Sequence, residues 1–123
     1  MAHGRILSFK YALEGLWTAL KEEPNLKFHL LAMTTVVAVG VYFELKVGEW
    51  LAVVFAIGLV ITLELTNTAI ETIVDSFTQA DHPGAKRAKD IASAAVLVMA
   101  LTSAIIGLLV FLPHLIALFT LRY

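Results

Sequence analysis

Long apolar runs with short polar interruptions organise this chain, and the spacing inside each run sets the expected elements. From Arg5 to Lys21 the apolar positions Ile6, Phe9, Leu13, Leu16, Trp17 and Leu20 recur at helical spacing, while Lys10, Glu14 and Lys21 lie on other sides. That pattern predicts an amphipathic surface helix over about 5–21, lying in a membrane interface. Pro24 in "EEPN" ends it, because proline disfavours helical geometry at Glu23 and can itself open the next helix. The run "FHLLAMTTVVAVGVYFEL" (28–45) is just long enough to cross a bilayer. A second span is expected over 50–74 and a third over 91–112, where no charge occurs. Between them, residues 76–90 are polar and hold Pro83 and Gly84, the mark of a loop leading into a short helical lead-in. Pro113 and His114 interrupt the last run and leave Arg122 and Tyr123 at the opposite interface.

Composition agrees with the pattern: 59% of the 123 residues are hydrophobic and 15% charged, against about a quarter charged in soluble domains. The fold class expected is therefore an all-α integral membrane protein, one domain over residues 1–123. The absence of cysteine removes disulfides, thiolate metal sites and cysteine nucleophiles. The net charge of −1 is uninformative, and no nucleic-acid partner is expected. The first stretch is broken by Lys10, Glu14 and Lys21, unlike a signal peptide, so no cleavage is expected. Arg5, Lys10, Lys21, Lys27, Lys86, Arg87 and Lys89 fall on one side of the three spans, with only Lys46 and Arg122 on the other. By the positive-inside rule the N-terminus and the 76–90 loop face the cytoplasm, with Tyr42 and Trp50 as outer anchors.

Within the second span, "ELTNTAIETIVD" (64–75) places Glu64, Asn67, Glu71 and Asp75 within an arc of roughly 80° and along about 16 Å of helix axis. An ionised acid near a bilayer centre costs about 3 kcal/mol, so this face must meet protein, water or a ligand. On the topology above it descends from the cytosol into the membrane, with Glu22, Glu23, Lys89 and Asp90 at its upper level. Carboxylate oxygens suit a hard cation such as Mg²⁺, which binds through one or two carboxylates plus substrate phosphates. Nucleotide phosphoryl transfer to a lipid hydroxyl is the natural chemistry: Lys89 can neutralise phosphate oxygens, and Glu64, the deepest acid, is the candidate base. Neither GxxxxGK[ST] nor GxGxxG occurs, so a nucleotide site must be built from helix ends and loops.

"ELTNTAIETIVD" followed by "AKRAKDIASAAVLV" resembles the prokaryotic diacylglycerol kinase family of small membrane-embedded lipid kinases, over about residues 5–112. The resemblance implies a homotrimer in the bacterial cytoplasmic membrane, with a surface helix and three spans per chain and active sites shared between subunits. It makes Glu64 the catalytic base and a lipid-binding residue, with Asn67 beside it. Glu23 and Glu71 are implied as Mg²⁺ ligands in the nucleotide site, with Asp75, Lys89 and Asp90 alongside. Tyr11 matches a nucleotide-site tyrosine, His82 falls in a loop that contacts ATP, and Ser93 lies where lipid is contacted. The family's basic residue on the surface helix is displaced by one position from Arg5, which receives no role. "FKYALEGL", "EEPNLKFHL" and "HPGAKRAKDIA" resemble the undecaprenol kinase branch more than the diacylglycerol branch, so undecaprenol is the expected acceptor and diacylglycerol the alternative.

Plainer roles are expected for several neighbours. Glu22 reads as a solvated charge, Asp81 as a helix cap, and Asp90 as an N-cap of the third span besides any nucleotide role. Lys86 and Arg87 hold the loop at anionic headgroups. His29 and His114 share no face with a second ligand-type residue, so a histidine metal site is not expected. Asn67 alone could join helices, and Ala92, Ala94, Ala95 and Gly107 could let them pack closely. A small ion- or proton-translocating subunit would need polar groups across the whole bilayer, whereas the outer half of the spans offers little beyond Thr34 and Thr35.

Overall fold

The computed structural model describes residues 2–121, with side chains from Gly4 onward. Arg122 and Tyr123, expected at an interface, lie outside the described residues. Four helices follow one another: α1 (Ala2–Glu22), α2 (Pro24–Tyr42), α3 (Val47–Phe77) and α4 (Pro83–Thr120). The last three are long and apolar enough to cross a membrane. With 31 and 38 residues, α3 and α4 are about 46 and 57 Å long, well beyond a hydrocarbon core of about 30 Å. Both therefore carry polar ends out of the apolar layer.

The helix limits correct the sequence reading in three places. Pro24 opens α2 as expected, with Glu23 extended at φ −102° and ψ 107°. However, α2 stops at Tyr42 rather than at residue 45. Glu44 takes a left-handed φ of 53°, and the Leu45 amide donates back to the Gly40 carbonyl at 3.2 Å. Leu45, which looked like the end of a span, is a buried core residue of the turn. Helix α3 then starts at Val47, where the Glu49 carboxylate accepts the Lys46 backbone N–H at 2.8 Å and so satisfies a free amide at the helix start.

Helix α4 starts at Pro83, earlier than the expected loop allowed. Pro83 occupies the first turn, where its missing N–H costs nothing, and His82 is the N-cap, its Nδ1 accepting the Gly84 N–H at 3.0 Å. Neither Asp81 nor Asp90 is a cap: Asp90 lies inside the helix and pairs with Lys86 one turn earlier. At the other end α4 runs through Pro113 to Thr120. A proline inside a helix removes one hydrogen bond, yet the helix carries on past it for about two further turns.

Helices α3 and α4 pack along each other as an antiparallel hairpin, α2 lies against α3, and α1 touches both α2 and α3. Near the α2–α3 turn, buried Leu45, Val53 and Val110 gather Phe43, Trp50 and Phe111 around them. Gly40 is required here, because a Cβ at that position would meet the Trp50 ring at 2.8 Å. Away from this cluster the spans turn apolar side chains outward; Leu97, Leu101 and Leu108 are all exposed. On α1, Ile6, Phe9, Leu13 and Trp17 are uncovered too, which is the apolar face expected of an interfacial helix. Of the small residues on α4, Ala92 is buried, whereas Ala94 and Ala95 are exposed, so the close packing expected of those two is not made within the chain.

Candidate active site on the polar face of helix α3

The buried residues of α3 are Val53, Ala56, Val60, Glu64 and Asn67, at the spacing of three and four that keeps one helix face turned inward. The polar stripe is thus the continuation of the packing face and not a second face. Exposure rises along it. Glu64 is 3% exposed and Asn67 8%, Glu71 is half-buried, and Asp75 is open to solvent. The Asn67 side-chain carbonyl oxygen is buried with no hydrogen-bond partner, a state that costs about 1–3 kcal/mol and leaves an acceptor ready beside Glu64.

Helix α4 supplies the cation. Lys89 Nζ donates to Asp75 Oδ1 at 2.8 Å. Lys89 stands ahead of the apolar run that begins at Ile91, and its pKa is raised above the ordinary lysine value, chiefly by this bond; the charges of Asp75 and Glu71 add to it. A cation held at the open end of a carboxylate lane is suited to meet phosphate oxygens.

Helix α2 supplies a residue that sequence reasoning set aside. His29 Nε2 lies 3.7 Å from Glu64 Oε2, with its side chain 20% exposed. His29 was weighed only as a metal ligand. The available signal was its level: it opens α2 on the side where α3 ends, so it stands at the depth of Glu64. The same oversight applies at the opposite end, where His114 Nε2 lies 2.8 Å from Glu49 Oε1. Below His29 an apolar cleft of about 270 Å³ runs between α2, α3 and α4, lined by Phe28, Met33, Val60, Ile106 and Phe111 among others.

The structure does not bring every expected residue to this face. Glu23, at the N-cap of α2, is half-buried and makes no side-chain capping bond. Tyr11 is exposed on α1 and Ser93 on α4, His82 caps α4, and Asp90 is engaged by Lys86. Among the described residues, no hydrogen bond or ion pair joins Tyr11, Glu23, His82, Asp90 or Ser93 to the α3 stripe. No three His, Asp or Glu side chains among the described residues converge into a ready metal cluster.

Outside this region the Ser103 hydroxyl is also buried without a partner, whereas several threonines are internally satisfied. Thr34 and Thr35 donate to the carbonyls of Leu30 and Leu31 at 2.9 and 3.0 Å. Thr102 does the same to Val98 at 2.9 Å.

Comparison with known proteins matches the sequence to lipid kinases. An undecaprenol kinase of Bacillus subtilis (strain 168) is 47% identical over 108 residues, 88% of each chain. A diacylglycerol kinase of Synechocystis is 34% identical over 119 residues, 96% of this chain and 68% of that one. A diacylglycerol kinase of Haemophilus influenzae is 33% identical over 93 residues, 76% and 79% of the two chains. The family model described as prokaryotic diacylglycerol kinase matches residues 10–111, which takes in α2, α3 and the whole polar stripe, and the chain belongs to that family.

Proposed function

We propose that this protein is an ATP- and Mg²⁺-dependent lipid kinase that phosphorylates the hydroxyl of undecaprenol at the cytoplasmic face of the bacterial inner membrane. The observation that carries the reading is the burial gradient on α3, from open Asp75 to sealed Glu64. Such a lane gives a charged, water-borne donor and a membrane-borne alcohol access to the same carboxylate. Glu64 takes the proton of the hydroxyl as general base, with Asn67 beside it on the same face of α3. Lys89 and Asp75 bind at the nucleotide end, and Ser93 contacts lipid.

Glu23 and Glu71 would hold Mg²⁺. Their hard oxygen donors fit that ion, and the lack of a three-residue cluster among the described residues fits a cation completed by phosphates. When bound, Mg²⁺ supplies charge neutralisation of the phosphates. Tyr11, His82 and Asp90 complete the nucleotide site. Their separation from the stripe within one chain supports a homotrimer in which neighbouring copies share each site, one domain of α1 and three spans per copy. The lysine and arginine bias supports a cytoplasmic N-terminus and 76–90 loop.

Undecaprenol is favoured as acceptor by the 47% identity to the Bacillus subtilis enzyme. Diacylglycerol is the second reading, favoured by the 34% match that covers 96% of this chain. Ion translocation is disfavoured because the threonines of α2 bond their own backbone and offer no polar path. The test is purified protein in lipid vesicles with Mg²⁺, labelled ATP and either alcohol. Faster labelling of undecaprenol supports the reading, preference for diacylglycerol replaces the acceptor, and no labelled lipid with either overturns it.

A further inference from the structure

We infer that His29 is the proton outlet of Glu64. The inference rests on the reading of Glu64 as general base. Glu64 is 3% exposed, and among the described residues His29 is the one basic side chain within ion-pair distance of it, at 3.7 Å. The His29 ring is partly open, with a side-chain exposure of 20%, and it stands edge-on to Phe28, with ring centroids 5.9 Å apart. It therefore joins a sealed carboxylate to a ring that is only partly covered, at the head of the apolar cleft.

The chemistry requires such a group. When the lipid O–H bond breaks, its proton goes to the Glu64 carboxylate, the alcohol oxygen bonds the γ-phosphorus, and nucleoside diphosphate leaves. Glu64 is then a neutral acid that must lose its proton before another turnover. Asn67 cannot take it. Glu71 lies seven residues away on α3, about 10 Å along the axis, and Lys89 is already protonated and bonded to Asp75. Once the 3.7 Å gap closes, the His29 Nε2 lone pair accepts the proton, the carboxylate is restored, and the other ring nitrogen gives up its proton at the partly open edge of the ring. His29 faces the base and not the substrate, so it is a positioning residue.

The test compares His29→Ala and His29→Gln with the wild type in vesicles containing undecaprenol, with and without added imidazole. In His29→Ala, kcat should fall on the order of tenfold, with KM for ATP and lipid within about twofold of wild type. Free imidazole should restore the rate of His29→Ala in a saturable manner and leave His29→Gln slow. Wild-type kcat in either variant, a loss carried by KM, or a loss in His29→Ala that imidazole does not relieve would overturn the inference. If His29→Ala does not fold, His29→Gln decides by its kcat. A Glu64→Gln control separates the two levels. Inactive Glu64→Gln beside fully active His29→Ala removes the outlet alone, whereas active Glu64→Gln, or a wild type that labels no lipid, removes the base as well.

Discussion

His114 Nε2 lies 2.8 Å from Glu49 Oε1, and this pair closes the α3–α4 hairpin at the end opposite Lys89 and Asp75. Glu49 and Asp75 are 26 positions apart on α3, and Lys89 and His114 are 25 apart on α4. The two helices thus stay in register over about 38 Å, with one polar clasp at each edge of the apolar layer. Phe43 stacks near the His114 ring at 5.5 Å, tying α2 to the same clasp. Replacing His114 by Leu should leave kcat unchanged, because the site lies at the far end, and should lower resistance to unfolding in detergent. Thermal denaturation followed by circular dichroism, alongside the kinase assay, measures both.

Glu64→Gln removes the carboxylate proposed to accept the alcohol proton while keeping its shape. Turnover should fall by about 10² to 10⁴-fold, the usual worth of a general base, with ATP affinity unchanged. Labelled-phosphate transfer and equilibrium nucleotide binding, measured on the same preparation, check the two halves. A variant retaining most of its rate would remove Glu64 as base.

Glu71→Gln halves the carboxylate pair assigned to the cation. The Mg²⁺ concentration for half-maximal rate should rise on the order of tenfold, within the 10- to 100-fold span seen when metal-site partners are lost. Rate measured across a Mg²⁺ titration tests it, and an unshifted curve would return Glu71 to a packing role.

Lys89→Met breaks the bond to Asp75 at an open site. Exposed ion pairs contribute little to stability, so the melting temperature should hold. KM for ATP should rise while KM for lipid does not. An equal rise in both would place Lys89 outside the nucleotide end.

Gly40→Val inserts bulk where even a Cβ would sit 2.8 Å from Trp50. Overpacking of this kind costs about 1–3 kcal/mol. The double variant with Trp50→Ala should recover part of the loss, which denaturation of the single and double variants will show.

Much of this architecture was legible because helix-forming signals in apolar sequence are strong. Pro24 marked the start of α2, and the spacing of Glu64, Asn67, Glu71 and Asp75 marked one face. The errors have a common cause. Local hydropathy and propensity make Leu45 a span end and Pro113 an interruption, but tertiary packing buries the first and α4 runs on through the second. Asp90 was read as a cap because capping acids are common, yet Pro83 had already opened the helix. The His29–Glu64 and His114–Glu49 pairs join residues 35 and 65 positions apart. No spacing rule within one helix finds such partners; matching the depths of polar groups across antiparallel helices does.

The α3 stripe is open at Asp75 and sealed at Glu64, ahead of the apolar residues that continue the same packing face. On the proposed reading, soluble and oily cosubstrates would come in by separate doors. Saturating one should then leave entry of the other unhindered, and a lipid tail would never have to be lifted into water for its head to react.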